Sequence, residues 1–136
     1  MKKTLLVLGL VCLMVLGACG AASTEPLKID SVTLARDDGS GNAGETVTEF
    51  KPTDHDFHAT IKLNRIEGGL KVKLTWIVVD AGGSTNRVLD NSEFTALAGN
   101  VVNGKASLPN DWPTGKYRLD VYLNDKLAQS VDFNVA

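Results

Sequence analysis

The chain has 136 residues, with 14 basic and 16 acidic side chains and 43% hydrophobic residues. This length suits one domain with a sizeable core. The acidic balance argues against nucleic acid as a partner, because nucleic acid calls for a basic stripe.

Residues 1–20 read MKKTLLVLGLVCLMVLGACG. Lys2 and Lys3 supply a positive start, and residues 5–16 form an uncharged apolar run. A bilayer-spanning helix needs roughly twenty apolar residues, so this shorter run reads as a signal-peptide helix directing export. The run closes with Leu16-Gly17-Ala18-Cys19, which resembles the lipobox of bacterial lipoproteins. The resemblance implies cleavage before Cys19, a diacylglyceryl group on its thiol and acylation, palmitate included, as the membrane anchor. It also implies that Cys12 leaves with the leader and that Cys19 is consumed by lipid, so the exported domain holds no disulfide. Gly20 stands where an Asp tends to retain such proteins at the inner membrane, which favours the outer membrane or cell surface. Anchoring of this kind is stable once two chains are buried, at about 0.8 kcal/mol per methylene.

The expected organisation is a signal peptide over residues 1–18, a lipidated cysteine and flexible tether over 19–26, and one domain over 27–136. Taking the 18 leader residues from 136 leaves 118, and losing Lys2 and Lys3 leaves 12 basic against 16 acidic residues. Residues 20–26 (GAASTEP) are small, polar and end in proline, the composition of a linker.

The domain reads as all-β. A first strand is expected over 27–35, a turn-rich loop over 36–45, and a short extended piece ending at Phe50 before Pro52. Residues 56–63 (DFHATIKL) alternate, with Phe57, Ala59, Ile61 and Leu63 on one face and His58, Thr60 and Lys62 on the solvent face. After a turn at Glu67-Gly68-Gly69, residues 70–79 put Leu70, Val72, Leu74, Trp76 and Val78 inward. A loop at 81–85 leads to a less regular strand over 86–95, and Asn103-Gly104 reads as a turn before a short strand carrying Ala106 and Leu108 inward. Residues 116–123 place Tyr117, Leu119, Val121 and Leu123 on one face, and the last strand does the same with Val131, Phe133 and Val135.

The final hairpin allows a test of register, because a one-residue slip turns a whole strand over. A plain two-residue turn at Asn124-Asp125 would set Leu119 against Ser130 and Tyr117 against Asp132. A three-residue loop, or an equivalent bulge, pairs Leu123 with Leu127, Leu119 with Val131 and Tyr117 with Phe133. Matched apolar faces favour the second.

About seven short strands without an amphipathic helix imply an antiparallel β-sandwich. Trp76 on the third main strand and Gly115-Lys116-Tyr117 opening the penultimate one resemble an immunoglobulin-like or fibronectin-III-like domain. The resemblance implies a buried Trp76 and a tyrosine corner at Tyr117, whose hydroxyl bonds an upstream backbone group. It carries no activity, because this fold hosts many functions.

Thr53 to His58 is the one cluster of potential metal ligands. His55 and His58 are the metal candidates, but a structural zinc takes four defined ligands, so two solvated histidines are the favoured reading. Residues 37–42 (DDGSGN) lack the oxygen spacing of a calcium loop and read as a polar turn. Lys71, Lys73, Lys116 and Arg118 point away from the core and define a candidate partner surface, with Arg118 expected opposite Asp132. Trp112 is a candidate aromatic contact whose commoner role is to cap a core. No nucleophile has a base beside it, no phosphate-binding glycine loop is present, and no cofactor is implied.

The function expected is therefore a lipid-anchored, non-enzymatic module of the cell envelope. It would be attached to the membrane through Cys19 and would bind or support an envelope protein or surface polymer. The alternatives are a protease inhibitor using the loops Asp80–Asn86 and Gly99–Gly104 at one end of the sandwich, and a metal or small-ligand carrier using His55 and His58.

Overall fold

A computed structural model describes residues 25–95 and 97–136. The leader, Cys19 and residues 20–24 of the tether lie outside the described residues. Nine strands form in the described residues: β1 (Ile29–Asp37), β2 (Ala43–Thr46), β3 (Glu49–Phe50), β4 (Asp56–Leu63), β5 (Val72–Ala81), β6 (Ser84–Phe94), β7 (Val101–Ser107), β8 (Gly115–Leu123) and β9 (Lys126–Val135). They make two sheets, one ordered β2-β1-β4-β7 and the other β3-β9-β8-β5-β6. Every pairing is antiparallel except β3 with β9, where the chain crosses from the first sheet to the second and runs parallel to the last strand. This is an immunoglobulin-like sandwich, with Trp76 buried on a central strand of the larger sheet.

The alternation in β4, β5 and β8 explains the core. Phe57, Ile61, Leu63, Val72, Leu74, Trp76, Leu119 and Val121 are all buried. At one end, Phe50, Phe57, Trp76, Trp112, Tyr117 and Phe133 form a continuous set of aromatic contacts, including a Tyr117–Phe133 stack at 5.5 Å between ring centroids. Pairs of this kind add about 0.5–1.5 kcal/mol beyond area burial, a useful reinforcement in a core without a described disulfide.

The hairpin between β8 and β9 reaches the expected pairing by the bulge. Leu119 faces Val131 and Tyr117 faces Phe133, but Asn124 and Asp125 form a two-residue turn, and the register shifts between Val121 and Tyr122. Leu127 therefore faces Tyr122 rather than Leu123. Asn124 and Asp125 have φ of 48° and 67°, the left-handed pair that a tight hairpin turn demands. The extra residue in β9 is what restores the match of apolar faces.

Three other expectations change. Residues 36–45 are not all loop: β1 continues to Asp37 and β2 returns along it, pairing Ala35 with Thr46 and Asp37 with Ala43. The loop at 81–85 shrinks to a Gly82-Gly83 turn, both glycines at positive φ, between β5 and β6. Asn103-Gly104 is not a turn. It lies within β7, facing Thr60 and Ala59 of β4. Gly104 is needed there because the opposite sheet comes close, and a Cβ would fall 2.2 Å from Leu74 Cδ1.

Candidate functional site

The sandwich has two distinct ends. Leu27 joins the domain at the near end, where it lines a shallow cavity of about 300 Å³ with Glu67, Leu123, Asn124 and Leu127. The near end also holds the 64–70 connection and residues 97–100: Asn64 Nδ2 donates to Pro26 O at 2.9 Å, and the Leu63 amide donates to Asn100 O at 2.8 Å. The far end gathers the 38–42 loop, the 51–55 segment, the Gly82-Gly83 turn and the 108–114 loop. The last three are tied together, since Leu108 N donates to His55 O and Trp112 N to Pro52 O, while Pro113 packs against Gly82.

The two histidines do not converge. His58 is only 6% exposed, against the solvent-facing expectation. Strand alternation does put it on the outer face of β4, but Asp37 and the loop after it fold back over that face. His58 Nε2 lies 2.8 Å from Asp37 Oδ2. This hydrogen bond, together with the amides of Gly39 and Gly41, holds the Asp37 carboxyl below its ordinary range despite some desolvation. His55 is exposed and meets Asp111 instead, with Nε2 3.0 Å from Oδ1. No group of three or more His, Cys, Asp or Glu side chains suited to a metal gathers among the described residues.

The loop that covers His58 organises itself. Asp37 Oδ1 accepts from the Gly39 and Gly41 amides at 2.7 and 3.3 Å, and Asp38 Oδ1 accepts from Ser40 and Asn42 at 2.7 and 3.2 Å. Carboxylate oxygens are thus taken up by their own backbone, the behaviour of a polar Asx turn. Arg36 braces the same end, with Nε donating to Asp54 Oδ2 at 2.9 Å and Nη1 to Glu45 Oε2 at 3.1 Å.

The basic face is not a continuous patch. Lys71 precedes β5, and its ammonium lies 2.8 Å from Asp125, a contact that raises the Lys71 pKa and lowers that of Asp125. Lys73 Nζ sits 4.4 Å from the centroid of the Tyr122 ring. Lys116 pairs in register with Asp80 at the opposite end of the sheet. It is six residues from Tyr122, about 20 Å at strand rise. Arg118 faces Asp132 in register as expected, but its guanidinium turns along its own strand. Its Nε donates to Asp120 Oδ1 at 2.9 Å, and Ser130 Oγ donates to the same oxygen at 2.6 Å. Asp120, 4% exposed, is the residue that sequence reasoning missed here. Its apolar neighbours, Leu119 and Val121, gave no sign that a buried carboxylate between them would claim the arginine.

Trp112 is 3% exposed, so its ring belongs to the core and offers no contact surface. It stacks on Phe57 at 4.2 Å and 22°, and its Nε1 donates to His55 O at 3.3 Å. It closes the far end of the core, next to the tyrosine corner, where Tyr117 Oη donates to Pro113 O at 2.6 Å. Burial raises the Tyr117 pKa above its ordinary value. Beside this cap lies a recess of about 320 Å³, lined by Gly82, Arg87, Leu89, Leu108, Trp112 and Pro113 among others.

The protease-inhibitor alternative loses its geometry. Of its two loops, Asp80–Asn86 is the Gly82-Gly83 turn with its flanking strand residues at the far end. The other, Gly99–Gly104, starts at the near end beside Leu63 and is mostly β7. They cannot act together from one end.

No protein-family model matches the chain, and no curated protein matches it. Among solved structures it is similar to an immunoglobulin-like protein, PA1606, from Pseudomonas aeruginosa. That similarity has a TM-score of 0.55 at 18% identity and covers 81% of this chain and 96% of that one. It is also similar to part of the alkylpurine DNA glycosylase AlkC of Pseudomonas fluorescens, solved bound to DNA containing an abasic site analog. There the TM-score is 0.51 at 13% identity, covering 81% of this chain but 30% of the glycosylase. At these identities the similarities establish the immunoglobulin-like fold and nothing about activity.

Proposed function

We propose that this chain is a lipid-anchored, non-enzymatic module of the cell envelope that binds an envelope protein through the loops at the far end of its sandwich. One relationship carries the reading. Leu27, the first residue past the lipobox and tether, enters the near end, while the recess beside Trp112 and Pro113 opens at the far end. A short tether to an acylated Cys19 would keep the near end close to the membrane and turn the far-end loops outward. Loops carried on a rigid sandwich are a common location for binding. Asp38, Asp54, Asp56 and Asp111 all lie toward the far end. Arg36, Lys51, Arg87 and Lys116 stand among them, and the recess itself is mostly apolar with Arg87 as its one charged side chain, a mixed surface that suits a protein partner.

The test is photo-crosslinking in intact cells, with the crosslinker at Asn110 in the far-end loop or at Lys105 on the outer face of the first sheet. A discrete adduct is expected from position 110 and none from 105, and Cys19→Ala is expected to remove both membrane association and the adduct. An adduct from 105 alone, or from neither position, would sink the reading.

A further inference from the structure

The near end holds a feature that the proposed function leaves unused. Ile66 and Leu127 are 51% and 56% exposed, two of the four large hydrophobic side chains so exposed among the described residues. Leu127 shares the shallow near-end cavity with Leu27, Leu123 and Glu67, and Ile66 adjoins Glu67 in the chain. Charged side chains of both signs border this apolar group, with a slight basic excess. Lys28, Lys62, Arg65, Lys71, Lys73 and Lys126 stand at this end against Glu25, Asp30, Glu67, Glu93 and Asp125, so the negative excess of the domain falls on the other half. Lys126 makes no ion pair among the described residues, Lys28 pairs only with the exposed Glu25, and Arg65 lies 3.9 Å from Glu67 in a loose, exposed pair while its Nε donates to Glu25 O.

We infer that the near end is a membrane seat: Ile66 and Leu127 rest in the headgroup region of an anionic bilayer, with Lys28, Arg65 and Lys126 against its phosphates. The inference rests on the lipid anchor at Cys19. Seven residues, 20–26, separate Cys19 from Leu27, and the eight steps between the two reach no more than about 29 Å fully extended. The near end is thus held at high effective concentration beside the bilayer whatever its own affinity. Apolar side chains among basic ones are the composition that interfacial binding uses. Electrostatics select the orientation, because attraction to an anionic surface acts within about one Debye length, ~8 Å at physiological salt. The acidic far half is repelled from that layer.

The experiment uses the mature, acylated protein reconstituted into vesicles of phosphatidylethanolamine and phosphatidylglycerol, with the mass of the Cys19 peptide measured first. Ile66→Cys and Asn110→Cys are each labelled with an environment-sensitive fluorophore. The label at 66 is expected to brighten several-fold over the label at 110 and to be quenched by spin-labelled headgroups. Leu127→Asp is expected to reverse most of that gain. Replacing phosphatidylglycerol with phosphatidylcholine is expected to reduce it. If Cys19 is acylated and the label at 66 is as water-exposed as that at 110, the seat is wrong and the anchor stands. If Cys19 carries no lipid, the anchor fails and the seat fails with it.

Discussion

Gly104 of β7 lies directly beneath Leu74 of β5, so close that a Cβ on the glycine would stand 2.2 Å from Leu74 Cδ1. Leu74 is fully buried, so its side chain can make room only by displacing its packed neighbours. The contact ties the two sheets together away from the aromatic end of the core. Gly104→Ala is expected to destabilise the domain by about 1–3 kcal/mol, the usual cost of overpacking. In urea unfolding, the double variant with Leu74→Ala should lose less than the sum of the two single changes, because the small residue at 74 relieves the clash. Strict additivity would show that the clash relaxes elsewhere.

The tyrosine corner is a second target. Tyr117→Phe keeps the ring on Phe133 but removes the donor to Pro113 O. Loss of such a hydrogen bond to a carbonyl at an exposed residue costs about 0.5–1.5 kcal/mol, and the urea midpoint should fall with an unchanged slope. In the wild-type protein the raised Tyr117 pKa adds an alkaline effect. Its share of stability is complete below the ordinary tyrosine value of 10.0 and declines as pH rises through the higher folded value. The Phe variant should lack that decline.

Acid should act on the loop over His58. Asp37 has its folded pKa below the ordinary 3.8, so its contribution is complete above 3.8 and is lost as pH falls through the lower folded value. Amide exchange at Gly39 and Gly41, whose protons are held by Asp37 Oδ1, should accelerate in that range before the core amides of β5 do. In Asp37→Asn these two amides should exchange faster at neutral pH and show no such acid step. Parallel loss of loop and core protection would refute a local role.

Trp112 separates the capping role from a binding one. Trp112→Ala should cost about 3–5 kcal/mol, since it removes the stack on Phe57 and opens a cavity. Trp112→Phe should cost much less. A fall in stability below about 1 kcal/mol for the Ala variant, measured by urea unfolding, would argue that the ring contributes little to the core.

Much of the fold was legible because burial is periodic. The inward sets of β4, β5, β8 and β9 follow from alternation, and the match of Leu119 with Val131 and of Tyr117 with Phe133 follows from the cost of burying the wrong face. Alternation was silent where a residue answered to a partner far away in the chain. Gly104 looked like a turn because Asn-Gly is a turn pair, and only the approach of Leu74 makes it a strand glycine. His58 looked solvated because its strand face is the outer one, and only the β1–β2 loop buries it.

The charged residues divide in the same way. Sequence order alone placed Lys71, Lys73, Lys116 and Arg118 on one face but said nothing of what would neutralise them. Asp125 and Asp120 take two of those charges, and Tyr122 lies under a third.

From the amino-acid order alone came the all-strand body and the facing of the main strands, because these depend on neighbours one or two positions apart. The closing of His58, the capture of Arg118 and the separation of near and far ends waited on the tertiary structure. Each depends on groups brought together across loops or between sheets, where free energies of a few kcal/mol are set by distance in space and not in sequence.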